Sequence, residues 1–277
     1  MKSRCIFMGK VLNMKVAIIQ LGATADKARN LKKAVDFVCR AIDRRARLIV
    51  LPEVFIFRGR IRSGADVRAI AEAIPGASLI PLMELAKKHK VFILAGSIYE
   101  KTAGTDKVYN TSVFIDDRGA IRAKYRKIHL FEAVLGNKRI READCFLAGC
   151  ETATARAEKF KTGLSICYDL RFPEMYRKYA ALGVHAACVP SAFTYETGRA
   201  HWEVLVRARA IENRCYMLAP NQVGKSGGSV RHYGHSMIVG PWGEIIAVAS
   251  GNKEEVIYGQ LNLKDIKTAR QKLPALM

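Results

Sequence analysis

Two short apolar runs rich in β-branched residues, at 16–21 and 48–51, flank a segment in which Leu31, Ala34, Val35, Val38 and Ile42 recur at helical spacing. This strand, helix, strand unit constrains the chain more than any other feature, and it repeats. Residues 78–90 read as a helix before a strand at 91–99, residues 173–182 as a helix before a strand at 184–189, and residues 200–213 as a helix before a strand at 215–219. Pro173 needs no amide donor at its helix start, and Gly183 suits a left-handed C-terminal cap. Alternating or apolar runs joined by turn residues, 109–115 with 121–125 and 236–239 with 245–249, add hairpins and make the sheets mixed. The stretch 127–149 has no sustained period and reads as a long functional loop. No linker divides the chain. The expectation is one α/β domain over 14–277, with two similar halves packed sheet against sheet and helices outside. Met14 directly precedes the first strand, so residues 1–13 read as a tail or an over-called start.

With 277 residues, half of them apolar, the chain can bury a sizeable core. Its 46 basic and 25 acidic side chains give a formal charge of +21, which raises nucleic acid or an anionic surface as partners. The basic residues form only short groups, such as Arg44-Arg45 and Arg58-Gly-Arg60-Ile-Arg62, and no nucleic-acid-binding motif accompanies them. A solvated basic surface is therefore favoured, attraction of acidic small substrates next, and no specific nucleic acid is expected. Seven cysteines without a C-x-x-C pair point to reduced thiols and a cytoplasmic home. No apolar run has the length of a signal peptide or a membrane span.

Three segments place a polar residue just beyond an apolar strand: Leu48-Ile-Val-Leu-Pro-Glu53, Tyr125-Arg-Lys127-Ile-His-Leu130 and Gly163-Leu-Ser-Ile-Cys167-Tyr-Asp-Leu-Arg-Phe-Pro-Glu174. Strand ends deliver side chains to the rim of an α/β sheet, where ligands sit. Singly, each residue reads as surface or core; together they make a coherent acyl-transfer set. A free cysteine is mostly protonated at neutral pH and needs help to become a nucleophile. Glu53 can take the proton, Lys127 can hold the thiolate and then the oxyanion, and backbone N–H groups after Cys167 can complete an oxyanion hole. A Cys–His pair is the competing route, but no histidine has an equally framed context. His232 and His235 lack metal-ligand company, and the segment from Gly224 lacks the setting of a phosphate loop and reads as a mobile turn.

On these residues the sequence resembles the nitrilase superfamily of carbon–nitrogen hydrolases, from Met14 to about Pro274. The resemblance matches Glu53 to the general base, Lys127 to the oxyanion-stabilising lysine, Cys167 to the nucleophile, and Glu142, in Ile140-Arg-Glu-Ala, to a second glutamate that orients substrate and water. Pro190-Ser-Ala-Phe-Thr, Thr197-Gly-Arg-Ala-His201-Trp and Gly240-Pro-Trp-Gly-Glu are similar to the Nit branch, which holds omega-amidase and deaminated-glutathione amidase. That implies a four-layer αββα sandwich of two mixed sheets, a homodimer, no metal or organic cofactor, and cysteine-thioester hydrolysis of small carboxylate-bearing amides. It further implies an oxyanion contact from the Tyr168 backbone and substrate contacts from Arg171, Phe193, Thr194 and His201. For Arg171 the alternative is an ion pair with Asp169 or Glu174. Ala148-Gly149, Arg199 and the basic loop 131–141 depart from the branch pattern and bear on the substrate. An N-carbamoyl-amine or N-carbamoyl-amino-acid hydrolase would use the same residues, and a basic binding protein on this scaffold is the non-enzyme alternative.

Overall fold

A computed structural model describes residues 13–135, 138–227 and 230–274. The proposed tail therefore lies outside the described residues, except for Asn13, which opens the first strand. The first half of the chain runs through β1 (Asn13–Gln20), α1 (Lys27–Asp43), β2 (Leu48–Val50), α2 (Gly64–Ile70), α3 (Ile80–His89), β3 (Phe92–Leu94), β4 (Ile98–Glu100), β5 (Tyr109–Ile115) and β6 (Ile121–Arg126). A hairpin of β7 (Glu132–Leu135) and β8 (Lys138–Arg141) follows. The second half continues with β9 (Ala153–Ala157), β10 (Phe160–Leu164), α4 (Pro173–Ala181), β11 (Ala186–Cys188), α5 (Tyr195–Asn213) and β12 (Tyr216–Ala219). It ends with β13 (Val223–Lys225), β14 (Arg231–Tyr233), β15 (Met237–Val239), β16 (Ile245–Val248), β17 (Glu255–Asn262) and α6 (Leu263–Lys272).

Both sheets are mixed. One has the order β17-β1-β2-β3-β5-β4 with β6 beside β5, and the other β16-β15-β12-β11-β10-β9. Each is built on three parallel strands, β1-β2-β3 and β10-β11-β12. Parallel strands covered on both faces are apolar at every position, so alternate residues serve different layers. Val16, Ile18, Leu48, Val50 and Leu94 enter one core with Phe160, Leu164, Ala186 and Leu218 of the opposite sheet. Their neighbours Ala17, Ile19, Ile49 and Ile93 pack instead against Ala34, Val38 and Ala41 of α1 and Leu82 and Ala86 of α3. Trp202, Val206 and Ala210 of α5 and Tyr176 and Tyr179 of α4 cover the second sheet. The result is the expected αββα order of layers.

Several expectations need correction. The loop expected at 127–149 contains β7 and β8 and a 3-10 turn, Glu142–Asp144. The hairpin is covered only in part, since Val134 stands exposed, Arg139 pairs with Glu132, and the facing Ala133 and Ile140 are half-buried, so only a weak apolar alternation announces it. Of the turn expected from Gly224 to Gly228, Gly224 and Lys225 close β13, Ser226 and Gly227 follow it as the start of the connection to β14, and Gly228 lies outside the described residues. Helix α5 begins five residues earlier than expected, because the Thr194 side chain caps the Thr197 amide.

Candidate active site

Glu53 leaves the end of β2 through Leu51 and Pro52, and its backbone is fixed on both sides. The Gln222 side chain donates to the Glu53 carbonyl at 2.8 Å. Ser97 accepts the amide of Val54, a residue held at φ +46°. The buried Glu53 carboxylate accepts from Asn110 Nδ2 at 2.9 Å and from Lys127 Nζ at 3.1 Å. Asn110 also takes the Lys127 amide on its carbonyl at 2.9 Å, so one β5 residue sets both partners. On the other side the Gly149 amide donates to the Lys127 carbonyl at 2.8 Å. A Cβ on Gly149 would stand 2.3 Å from the Arg126 carbonyl oxygen, which is why glycine occupies that place.

Lys127 is 1% exposed. Its ammonium sits between two carboxylates, because Glu142 accepts from Nζ at 2.9 and 3.1 Å. Glu142 comes from the 3-10 turn after β8 and is itself held by the Phe131 amide at 2.8 Å. Burial works against the charged lysine, but Glu142 and Glu53 outweigh it and hold the ammonium well above its usual range. For Glu53 burial pushes the carboxyl up, and Lys127 and Arg58 reverse that, leaving it below the usual carboxylate range.

Cys167 follows β10 and opens a 3-10 turn, Cys167–Arg171, with φ at +45°. Its amide donates to the Pro190 carbonyl at 2.9 Å, and the Asp169 amide to the Ile166 carbonyl at 3.0 Å. The Tyr168 amide between them is given no acceptor by the described residues. Burial and the Glu53 charge push the Cys167 thiol up, while Lys127 and the Ala192 amide draw it back only in part. The resting arrangement is thus a neutral thiol facing an ionised carboxylate and an ammonium. Such a set has the chemistry to move a proton from sulfur to Glu53 in a nucleophilic attack, with negative charge passing to an oxygen near Lys127.

A cavity of about 490 Å3 brings Glu53, Lys127, Glu142, Cys167, Tyr168, Arg171, Phe193 and Thr194 onto one wall system. Arg171 pairs with neither Asp169 nor Glu174. Its guanidinium lies 5.4 Å from the Phe193 ring centroid and 5.6 Å from that of Tyr168, and 3.3 Å from His201 Nδ1. His201 does not line the cavity. It sits on the exposed side of α5, with Arg171 between it and the cavity, so of the residues expected to contact substrate it is the one placed off the cavity wall. Sequence reasoning missed Asn110 and Ala192, and Arg58, which lines the cavity beside Arg62. Among the described residues no group of three or more His, Cys, Asp or Glu is placed to hold a metal.

A family model for carbon-nitrogen hydrolases matches residues 15–271. The chain is 37% identical over 264 residues to omega-amidase NIT2 of Homo sapiens, covering 95% of this chain and 93% of that protein. It is 36% identical over 260 residues to the nitrilase and fragile histidine triad fusion protein NitFhit of Drosophila melanogaster, covering 94% of this chain but only 56% of the fusion. Among solved structures, Saccharomyces cerevisiae Nit3, a member of branch 10 of the nitrilase superfamily, superposes with a TM-score of 0.86 at 36% identity over 96% of each chain.

Proposed function

The chain belongs to the carbon-nitrogen hydrolase family, and on that premise we propose that it hydrolyses the amide of a small carboxylate-bearing acid through a thioester on Cys167. The observation that carries the reading is Lys127 Nζ, buried 3.1 Å from Glu53 and 2.9 Å from Glu142 on the cavity that Cys167 enters. Glu53 accepts the thiol proton as Sγ bonds to the amide carbon. The carbonyl oxygen gathers charge beside Lys127 and the Tyr168 amide. Protonated Glu53 then hands its proton to nitrogen, the C–N bond breaks, and ammonia leaves a thioester behind. Water, placed with the help of Glu142 and deprotonated by Glu53, attacks the thioester and releases the acid with the thiol restored. Arg171, stacked on aromatic rings, supports an acidic substrate, since guanidinium receives a carboxylate bidentately.

Assembly and compartment extend the proposal. Val204 and Ile211 of α5, Trp242 of the turn before β16 and Val248 of β16 stand exposed, an apolar set that favours a homodimer. No helix among the described residues is long and apolar enough to cross a membrane. Six cysteines there are unpaired, which supports a reducing, cytoplasmic setting.

The test is a panel of short carboxylate-bearing amides, with ammonia measured and the Cys167 peptide weighed after an acid quench. An acyl mass on Cys167 that rises and falls with turnover is expected. Turnover with no adduct and undiminished in Cys167→Ala overturns the mechanism. Ammonia accompanied by CO2 from N-carbamoyl compounds transfers the substrate assignment to that class, and salt-sensitive DNA binding without any turnover turns it to a basic binding protein.

A further inference from the structure

Cys167 and Lys127 arrive from different sheets, one after β10 and the other after β6, yet the chemistry needs them in one fixed relation. We propose that Asp169 is the positioning residue that sets this relation, by clamping with one carboxylate the segment that carries Lys127 to the turn that carries Cys167. The inference rests on the Glu53–Lys127–Cys167 reading above and adds a residue that touches none of the reacting atoms.

The geometry is specific. Asp169 is fully buried. Its Oδ1 accepts from the His129 amide at 3.0 Å and from His129 Nδ1 at 2.7 Å. Its Oδ2 accepts from the Tyr125 hydroxyl at 2.6 Å and from the Ile166 amide at 2.8 Å. Tyr125 and His129 bracket Lys127, and Ile166 and Asp169 bracket Cys167. The clamp is closed further by the Ile128 amide, which donates to the Tyr125 hydroxyl at 3.2 Å, and by the His129 ring, stacked 3.6 Å from the Phe172 ring. A left-handed cysteine persists only where its surroundings over-determine it, and the Asp169–Ile166 contact spans that residue.

A carboxylate is required rather than a carboxamide. Each oxygen takes one backbone N–H, from His129 or from Ile166, and neither amide can turn away. An asparagine in either flip therefore aims its NH2 at a backbone donor and leaves that donor unsatisfied. The turn and the Lys127 segment are then free to separate, and a misplacement of about 1 Å loses on the order of 100-fold in rate.

The experiment compares wild type, Asp169→Asn and Tyr125→Phe, using the full chain. It reads kcat and KM on an amide substrate, per Cys167 thiol, and the rate of Cys167 alkylation by iodoacetamide. For Asp169→Asn, kcat should fall by roughly 100-fold with KM changed by less than about threefold, and the alkylation rate should shift by at least about fivefold. Tyr125→Phe, which removes one donor and keeps the ring, should lose about fivefold in kcat with KM held. A folded Asp169→Asn with kcat within about threefold of wild type overturns the proposal, as does a loss confined to melting temperature. If Asp169→Asn does not fold, Tyr125→Phe decides, and kcat within about twofold of wild type overturns it. If wild type turns over no amide, the functional reading fails. The alkylation rates then still test Asp169, and equal rates in all three proteins overturn the clamp.

Discussion

Cys167 is the only residue of the reacting set whose backbone is strained, since φ at +45° costs a side-chain-bearing residue about 1–3 kcal/mol. Replacing it removes the proposed nucleophile and leaves that strain, so Cys167→Ala should stay folded, bind substrate and release no ammonia above background. Lys127→Met is a different perturbation. It takes the proposed oxyanion partner away, worth on the order of 100- to 1,000-fold in kcat. It also strands the buried Glu53 carboxylate, which destabilises the fold by about 3–5 kcal/mol as buried pairs do when halved. Calorimetry and turnover per folded site should both record losses, and an unchanged melting temperature would contradict the pairing. Glu53, Lys127 and Cys167 were legible because each lies just beyond a strand end, after β2, β6 and β10, and each carries its proposed chemistry in its side chain. Strand β6 itself alternates buried or half-buried residues with exposed basic ones and is not the apolar strand expected before Lys127. Asn110 was not, because it sits inside the apolar run 109–115 as one more strand residue. Ala192 acts through its amide, which no side chain advertises. The place of His201 off the cavity wall was not legible, because a motif names a residue type without naming the helix face it occupies.

The hairpin of β13 and β14 shows how an element can support the site and titrate with it. Its His232 is buried, with Nδ1 3.2 Å from the Ala192 carbonyl and Nε2 3.0 Å from Ser226 Oγ. Burial, aided by the Arg58 charge, lowers its pKa to about 3 from 6.5. The folded protein therefore binds fewer protons than the unfolded chain between those values, so stability must fall as pH drops below 6.5. From pH 6.5 to pH 5 that amounts to about 2 kcal/mol from this group. His185, lowered by burial and by Arg270, acts in the same direction. Glu72, Glu100 and Asp116, whose carboxyls sit low because their hydrogen bonds and cation partners outweigh burial, add losses only on further acidification, below 4.5 for the glutamates and 3.8 for the aspartate. His232→Gln should accordingly lower the melting temperature near neutral pH and flatten its decline toward about pH 5. A decline as steep as wild type would mean that His232 is protonated in the native state. Helices such as α1 were legible because one face is buried against a sheet. The pairing of β17 with β1 along eight residues was not, since Gly259 and Gln260 interrupt the pattern and no local rule names a partner more than 200 residues away.

At the scale of the whole molecule, layer order followed from repeated units, whereas assembly and charge depend on surfaces that periodicity does not describe. Val204 is 68% and Trp242 53% exposed, so the proposed dimer through α5 and the β16 side should be seen by sedimentation of wild type and lost in Val204→Glu. A monomeric wild type would overturn the dimer, and a Val204→Glu variant that stays dimeric would place the interface elsewhere. The formal charge of +21 raises a separate question, namely whether an acidic substrate is drawn by the surface or held by the cavity. The two differ in how salt acts on them. Attraction by surface charges separated by more than about 8–10 Å fades at physiological ionic strength and above. A carboxylate in contact with Arg171 sheds its water on entry and recovers those bonds only from the guanidinium, a contact that salt screens weakly. The ratio of kcat/KM for a carboxylate-bearing amide to that for a neutral amide of equal length should therefore exceed one at low salt and persist in large part at high salt. In Arg171→Leu the ratio should shrink at every salt concentration, and Arg171→Lys should restore it incompletely, because an ammonium cannot reproduce the bidentate fork. A ratio that collapses with salt in wild type assigns the preference to the surface field. A ratio unchanged in Arg171→Leu removes Arg171 from substrate recognition and leaves Arg58 and Arg62, the other arginines without a carboxylate partner on that cavity among the described residues, as the groups to substitute next.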